Sequence, residues 1–110
     1  MDDRARGREV LDEIAPGILS KPDTAMSRMF SSEGLSVRGK IFAFASKSGD
    51  LVVKLPAERI DELGLDNMVM AGSPRREWAV VPLAAGVDRW RTIANEAYAF
   101  VDSITPPVVE

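Results

Sequence analysis

Apolar residues recur at helical spacing near both ends of the chain. The first set predicts a helix that starts in a strongly charged segment, and Pro16-Gly17 is expected to break or kink it before a short turn to Leu19. The second set predicts the clearest amphipathic helix, with Asp88 as its N-cap and Pro106-Pro107 at its end. The two sets are Val10, Leu11, Ile14 and Ile18, and Trp90, Ile93, Ala94, Ala97 and Val101.

Between these helices the hydrophobic pattern takes the two-residue period of β-strands. Turns are predicted at Gly39-Lys40 and at residues 46–50, where Gly49 can adopt a positive φ at low cost. The pattern therefore predicts a meander of three or four short antiparallel strands. The segments that support it are residues 25–30, 34–39, 41–45 and 51–55.

The second half of the chain adds a short helix and two more strands. Pro56 stands where proline favours a helix start, and Gly64 is expected to end that helix as its C-cap. The two strands that follow are joined by a predicted loop over residues 71–76. This order predicts an α+β fold: one mainly antiparallel β-sheet of about five or six strands, with an N-terminal helix, a short central helix and a C-terminal amphipathic helix packed against it. Residues 1–105 are expected to form this single domain and residues 106–110 a flexible tail.

Large apolar side chains suggest where the core lies. Trp78 and Trp90 are expected to pack between the sheet and the last helix. Four of the five methionines fall in predicted strands, namely Met26, Met29, Met68 and Met70. They indicate either half-buried sheet positions or an adaptable surface for a partner or an apolar ligand.

The residue types that the chain lacks narrow its chemistry. None of its 110 residues is cysteine or histidine, so disulfides and Ser–His or Cys–His mechanisms are impossible within it. No catalytic residue, metal site or cofactor is predicted. The 14 basic and 17 acidic residues give a net charge of −3, which disfavours direct nucleic-acid binding. The chain has no apolar run of about 20 residues and no signal-peptide pattern, so we expect a cytoplasmic protein without membrane contact.

A series of short motifs, in order along the chain, resembles the amino-terminal domain of the TfoX/Sxy family. The series is Arg28-Met29-Phe30, Gly34, Gly39-Lys40, Leu51-Val52-Val53-Lys54, Gly72-Ser73-Pro74, Glu77-Trp78-Ala79-Val80-Val81, and Trp90 with Ala97 and Phe100-Val101. The resemblance runs from about residue 8 to residue 103. It implies an α+β fold similar to that of YjbR-like proteins. Longer members with a second helical domain regulate bacterial competence, whereas stand-alone members, which this chain resembles, have no assigned activity.

One segment departs from the family pattern. The family usually has Met-Phe-Gly-Gly where this chain has Met29-Phe30-Ser31-Ser32. If the paired glycines permit an unusual backbone or a close approach, Ser31 and Ser32 must manage it differently. A ligand role of this loop therefore does not carry over from the family.

Residues 28–40 combine serines, glycines and charges in a way that invites a catalytic or phosphate-binding interpretation. A serine nucleophile needs a base, which histidine does not supply here, and a phosphate loop leads into a helix, whereas this segment leads into a strand. The segment is therefore predicted to be the corner of a β-hairpin. Arg75-Arg76 either bind phosphate or an acidic partner, or form a solvated hairpin tip. The predicted partner or ligand contacts are Arg28, Ser31, Ser32, Arg38, Lys40, Arg75 and Arg76.

Three hypotheses for function follow. The favoured one is a non-catalytic protein-interaction or regulatory domain with an unidentified protein partner, of which a homodimer is one version. The alternative is a small-ligand binder or enzyme that uses Asp, Glu, Lys or Tyr98 in a cleft between sheet and helix. A weaker alternative is a nucleic-acid-associated regulator that uses the arginines and the lysine named above.

Overall fold

The computed structural model describes residues 2–29 and 32–107, with the backbone alone for Met29 and Ser32. Its helices are α1 (Asp3–Leu19), α2 (Ala57–Leu63) and α3 (Val87–Ile104), with a 3₁₀ turn over Leu83–Ala85. Its strands are β1 (Thr24–Met29), β2 (Ser32–Val37), β3 (Lys40–Ala45), β4 (Leu51–Lys54), β5 (Asp66–Met70) and β6 (Ser73–Val81). This succession confirms the predicted α+β class.

The strands form one antiparallel sheet in the order β1-β2-β3-β4-β6-β5. Because β6 lies beside β4, β5 becomes one edge of the sheet and β1 the other. β4 has four residues and β6 has nine, so among the described strands the first half of β6 pairs with β5 alone. The β5–β6 hairpin therefore projects past the end of β4, and the molecule measures 44 × 29 × 27 Å along its principal axes.

The hydrophobic core lies on one face of the sheet, beneath the helices. Leu51, Val53 and Leu55 are almost fully buried there, which confirms the predicted inward side of this segment. Ala79 and Val81 of the neighbouring strand continue the same layer. The helices contribute Leu11, Ile14, Ala15, Ile18, Ile60, Trp90, Ile93, Ala94, Ala97 and Val101.

The opposite face of the sheet carries no helix within the described chain. Phe44 of β3 and Val52 of β4 lie opposite each other there. Trp78 belongs to the same face, because its neighbour Ala79 points into the core. Its half-buried ring lies 5.9 Å from that of Phe44. The prediction that Trp78 packs between sheet and last helix is therefore wrong, whereas Trp90 is fully buried there as expected.

Helix α1 runs through Pro16 to Leu19, so the predicted break does not occur. Proline lacks the N–H that would donate to the carbonyl of Asp12, one turn earlier. Both residues are exposed, and water can serve that carbonyl. Buried Ile14 and Ile18 hold the last turns against the core, and this packing outweighs the loss of one hydrogen bond.

The N-terminal half of α1 lies in backbone contact with the turn between β3 and β4. A Cβ atom on Gly7 would collide with the carbonyl group and Cα of Gly49, and one on Gly49 would collide with the carbonyl of Asp3. Gly49 also has a φ of +90°, as expected for its turn. This close approach requires that both glycines lack a side chain.

Two hairpin turns are displaced from their predicted positions. The β2–β3 turn is Arg38-Gly39, with φ of +47° and +82°, rather than Gly39-Lys40. The β5–β6 turn is Ala71-Gly72, with φ of +53° and +80°, so residues 73–76 belong to β6 rather than to a loop. Positive φ at both central residues is typical of the type I′ turn, whose twist matches that of a hairpin.

Candidate functional site

The β5–β6 hairpin contains a wide bulge near the start of α2. Asn67 pairs with Ala79 and Val69 pairs with Pro74, so a step of two residues along β5 corresponds to a step of five residues along β6. The side-chain amide of Asn67 donates to the carbonyls of Arg75 and Arg76, at 3.0 and 3.2 Å. It thereby satisfies backbone groups in the stretch where the ladder is interrupted. The bulge is thus a defined structure that presents two consecutive arginines.

The bulge forms one wall of an open groove of about 550 Å³. The end of β4 and the start of α2 form the rest. Lys54 Nζ lies 3.7 Å from Glu77 Oε1 and 5.3 Å from the centre of the Trp78 ring, which fixes its position at the groove. The lining residues are Lys54, Ala57, Glu58, Arg75, Arg76, Glu77 and Trp78. Basic and acidic groups therefore share the groove, and its charge is mixed.

The tip of the hairpin exposes apolar side chains beside these arginines. Val69 is 63% exposed and Met70 46% exposed. Arg75 and Arg76 are also exposed and form no ion pair with any residue in 2–29 or 32–107. Methionine and arginine are enriched where proteins contact one another. We define the hairpin surface as Met68, Val69, Met70, Arg75 and Arg76.

Arg38, a predicted contact residue, is bound within the chain by the end of α3. Its guanidinium donates to the carboxylate of Asp102 at 2.8 Å and to the carbonyls of Asp102, Thr105 and Pro106 at 2.9–3.0 Å. A longer hydrogen bond of 3.3 Å joins it to Asp23. The hydrogen bond to Asp102 raises the pKa of Arg38 above its ordinary value. Since helix C-termini leave carbonyls unpaired, Arg38 acts as a cap of α3, and we call this set of contacts the Arg38 clasp.

Replacing Arg38 with alanine is expected to lower the melting temperature, because the Asp102 carboxylate and the carbonyls of Thr105 and Pro106 lose their donor. Arg38→Lys keeps the charge but not the five-donor fork, so it is expected to restore little of the loss. Lys40→Ala is the matched control, since Lys40 is exposed and pairs with no described residue. Thermal unfolding followed by circular dichroism checks this, and equal melting of the Arg38→Ala and Lys40→Ala proteins would contradict the capping role.

The other predicted contact residues do not converge on the groove. Arg28 is exposed on edge strand β1, and Lys40 is exposed at the start of β3. Ser31 lies outside the described residues, and of Ser32 the backbone lies in β2. Strands β1 and β6 are four inter-strand spacings apart, roughly 19 Å. Of the predicted set, the groove therefore brings together the pair Arg75-Arg76 alone.

Tyr98, proposed for an enzymatic alternative, lies away from the groove. Its ring meets Phe42 edge-on at 5.7 Å, and Lys21 Nζ lies 5.3 Å from its centre. Within the described residues no group of three or more acidic side chains is placed to hold a metal ion. No helix in those same ranges is long and apolar enough to cross a membrane.

Sequence reasoning missed Lys54, Asn67 and Val69 as parts of this site. No typical turn dipeptide marks the β5–β6 turn, because Ala71 stands where asparagine, aspartate or glycine is usual, so the length of β6 and the place of Val69 near the tip have no local signal. Nothing local signals that the Asn67 amide bridges the bulge. Comparisons of the chain with family models, with curated proteins and with solved structures found no match.

Proposed function

We propose that this chain is a non-catalytic protein-interaction or regulatory domain, and that the hairpin surface contacts its protein partner. The observation that carries the proposal is the exposure of Val69 and Met70 beside Arg75 and Arg76, whose guanidiniums pair with no described residue. Because Val69 and Met70 are consecutive in β5, they expose one apolar side chain on each face of the hairpin, and exposed apolar surface rimmed by polar groups marks contact sites on proteins. A projecting hairpin also reaches a partner without steric hindrance from the rest of the domain.

The resemblance to the TfoX/Sxy amino-terminal domain supports the same class of function. That resemblance implies an α+β architecture, and the chain has one. Some members of that family are regulators, and a regulator acts through contacts with other macromolecules. The sequence also contains neither cysteine nor histidine, which removes thiolate nucleophiles and the commonest general base from consideration.

A second candidate function is the binding of a small anionic ligand in the groove. Its volume of about 550 Å³ falls in the range of small-molecule sites. Lys54, Arg75 and Arg76 supply positive charge for a carboxylate or phosphate. However, Glu58 and Glu77 line the same groove and oppose an anion. We therefore favour protein contact over ligand binding. Nucleic-acid binding is the least favoured of the three, because a net charge of −3 opposes association with phosphates.

Substituting Val69 with lysine is expected to remove partner binding while leaving the fold intact, because Val69 is exposed and its replacement desolvates a charge at the contact. The tagged protein is purified from its native cell, and associated proteins are quantified by mass spectrometry. We expect recovery of the specific partner to fall about tenfold or more, as for a contact worth at least ~1.4 kcal/mol.

Ile104→Lys is the matched control for this experiment. Ile104 is 57% exposed at the end of α3, so the substitution makes the same chemical change at similar exposure outside the hairpin surface. It is expected to leave partner recovery unchanged. If both variants retain every associated protein, including further copies of the chain itself, the hairpin surface is not the contact site and the proposal is rejected.

A further inference from the structure

We propose that the partner of the hairpin surface presents an acidic segment, whose carboxylates pair with Arg75 and Arg76 in the groove beside α2. This inference rests on the proposed function and names the chemistry of the partner at the same surface. It follows from three observations: the bulge brings both arginines to one groove, no described residue neutralises their charge, and the groove also contains a carboxylate that accepts hydrogen bonds from a peptide backbone.

The bulge brings two consecutive arginines to the same groove. In a regular strand Arg75 and Arg76 would lie on opposite faces of the sheet, because successive side chains alternate. The register places both in the bulge of the inner strand β6, level with Met68 at the centre of β5, and both line the groove. The side-chain amide of Asn67 donates to the carbonyls of both arginines and so fixes this stretch of backbone. The groove therefore offers both arginines to a single segment of a partner.

The charge of these arginines is not neutralised within the described part of the chain. Arg75 and Arg76 form no ion pair there. The other charged residues of the groove are Lys54 and Glu77, which pair with each other at 3.7 Å, and Glu58 at the start of α2. The groove thus has three positive and two negative side chains, in a chain whose net charge is −3. This local excess of positive charge is complementary to an acidic segment.

Glu58 distinguishes a peptide from a small anion as the occupant of the groove. A free carboxylate brings negative charge alone, which Glu58 and Glu77 repel. An acidic peptide brings carboxylates for the arginines together with backbone N–H groups that can donate to Glu58. Glu58 is exposed and forms no ion pair with a described residue. The mixed charge of the groove therefore fits an acidic protein segment better than a small anion.

The size of the groove limits the length of that segment. Its volume of about 550 Å³ is that of a small-molecule site, so it takes only a few residues of a partner. An isolated acidic peptide is therefore expected to bind weakly, with a Kd of about 0.1–1 mM. In the intact partner, contact with the exposed side chains of Val69 and Met70 adds to this affinity.

Peptide titration followed by tryptophan fluorescence tests the inference. Trp78 lines the groove, whereas Trp90, the other tryptophan of the chain, is fully buried, so a change in emission reports on the groove. The probe is hexaglutamate blocked at both ends, and blocked hexaglutamine is its uncharged counterpart. Hexaglutamate is expected to bind at least about tenfold more tightly than hexaglutamine. Its affinity should fall several-fold as the salt concentration rises from about 0.05 to about 0.5 M, because the contacts are exposed ion pairs.

Substitution of the arginines shows where the peptide binds. Arg75→Ala and Arg76→Ala are each expected to weaken hexaglutamate binding about tenfold, because each removes a charge-assisted contact. Arg28→Ala is the matched control, since Arg28 is also exposed and pairs with no described residue, but lies on β1, roughly 19 Å from β6. It is expected to bind as the wild type does, and all three variants are expected to keep the wild-type melting temperature.

Hexaglutamate that does not bind, or binding that Arg28→Ala weakens as much as the other two substitutions, overturns the inference. Inorganic phosphate that binds as tightly as hexaglutamate and is lost in Arg75→Ala and Arg76→Ala also overturns it, because the groove would then be a small-anion site. In the purification from cells, a partner lost on Val69→Lys but recovered with the double arginine variant rejects the inference and leaves the proposed function standing. If all these variants retain every associated protein, both are rejected.

Discussion

Replacing Trp90 with alanine is expected to lower the free energy of unfolding by about 3–5 kcal/mol, the usual cost of emptying a large buried aromatic site. Trp90 is fully buried at the start of α3, beneath the sheet. Its indole N–H also donates to the carbonyl of Pro82 at 3.0 Å, which ties the helix to the segment that follows β6. Since domains of this size have about 5–15 kcal/mol in total, the variant should be close to unfolding at physiological temperature.

Urea unfolding followed by circular dichroism measures this loss, with Trp90→Phe as the control. Phenylalanine retains most of the apolar volume, so it is expected to cost clearly less than alanine. The chain has two tryptophans, and Trp78 lies half-buried on the other face of the sheet. Trp78→Ala should therefore be less destabilising than Trp90→Ala. An unfolding midpoint of Trp90→Ala equal to that of the wild type would contradict its place in the core.

Replacing Gly7 with alanine is expected to destabilise the protein by about 2–3 kcal/mol, the reverse of the usual effect in a helix. Alanine ordinarily gains roughly 1 kcal/mol over glycine in a helix interior. At Gly7, however, the added methyl group meets the backbone of Gly49, which cannot rotate away as a flexible side chain would. Helix α1 or the β3–β4 turn must move outward, and the packing beneath both is loosened.

Gly17→Ala in the same helix is the matched control. Its Cβ would meet nothing within 4 Å, so the gain in helix propensity is unopposed and stability should rise by about 0.5–1 kcal/mol. Opposite signs for the two substitutions, measured by chemical denaturation, would support the backbone contact. Stabilisation by both would show that α1 and the turn at Gly49 do not touch.

The architecture could be predicted because its determinants are local in the sequence. Apolar spacing marks the helices and strands, and Gly49 and Gly64 mark the points at which φ becomes positive. The short helix between Pro56 and Gly64, and the inward side of Leu51 and Val53, follow from the same local rules. Each of these features depends on residues that are neighbours in the chain.

The hairpin turn and the length of β6 could not be predicted by these rules. Ala71 has positive φ, which is uncommon for a residue with a side chain, and Pro74 lies inside a strand. Proline is tolerated there because β4 ends before it, so among the described strands no neighbour on that side needs its N–H. Local rules fail for residues 73–76 because this part of β6 lies at the end of the sheet, beyond β4.

The candidate site depends even more on tertiary structure. In the sequence Arg38 and the pair Arg75-Arg76 are alike as basic groups near turns. The fold distinguishes them, because the end of α3 lies against Arg38 and nothing described pairs with the others. The exposure of Val69 likewise depends on β4 being shorter than β6.

The Arg38 clasp also bears on the order in which the chain folds during synthesis. Its hydrogen bonds to Asp102, Thr105 and Pro106 join residues 64–68 positions apart in sequence, whereas the hairpins of the sheet join near neighbours. The β1–β2–β3 meander can therefore pair while α3 is still inside the ribosome. At that stage the guanidinium of Arg38 lacks its hydrogen-bond acceptors at the end of α3 and is hydrated instead. The strained left-handed turn at Arg38-Gly39 forms first, and its arginine becomes fixed only when the last helix arrives. The contacts of Arg38 with the end of α3 therefore form only when the last helix packs, as the domain completes its folding.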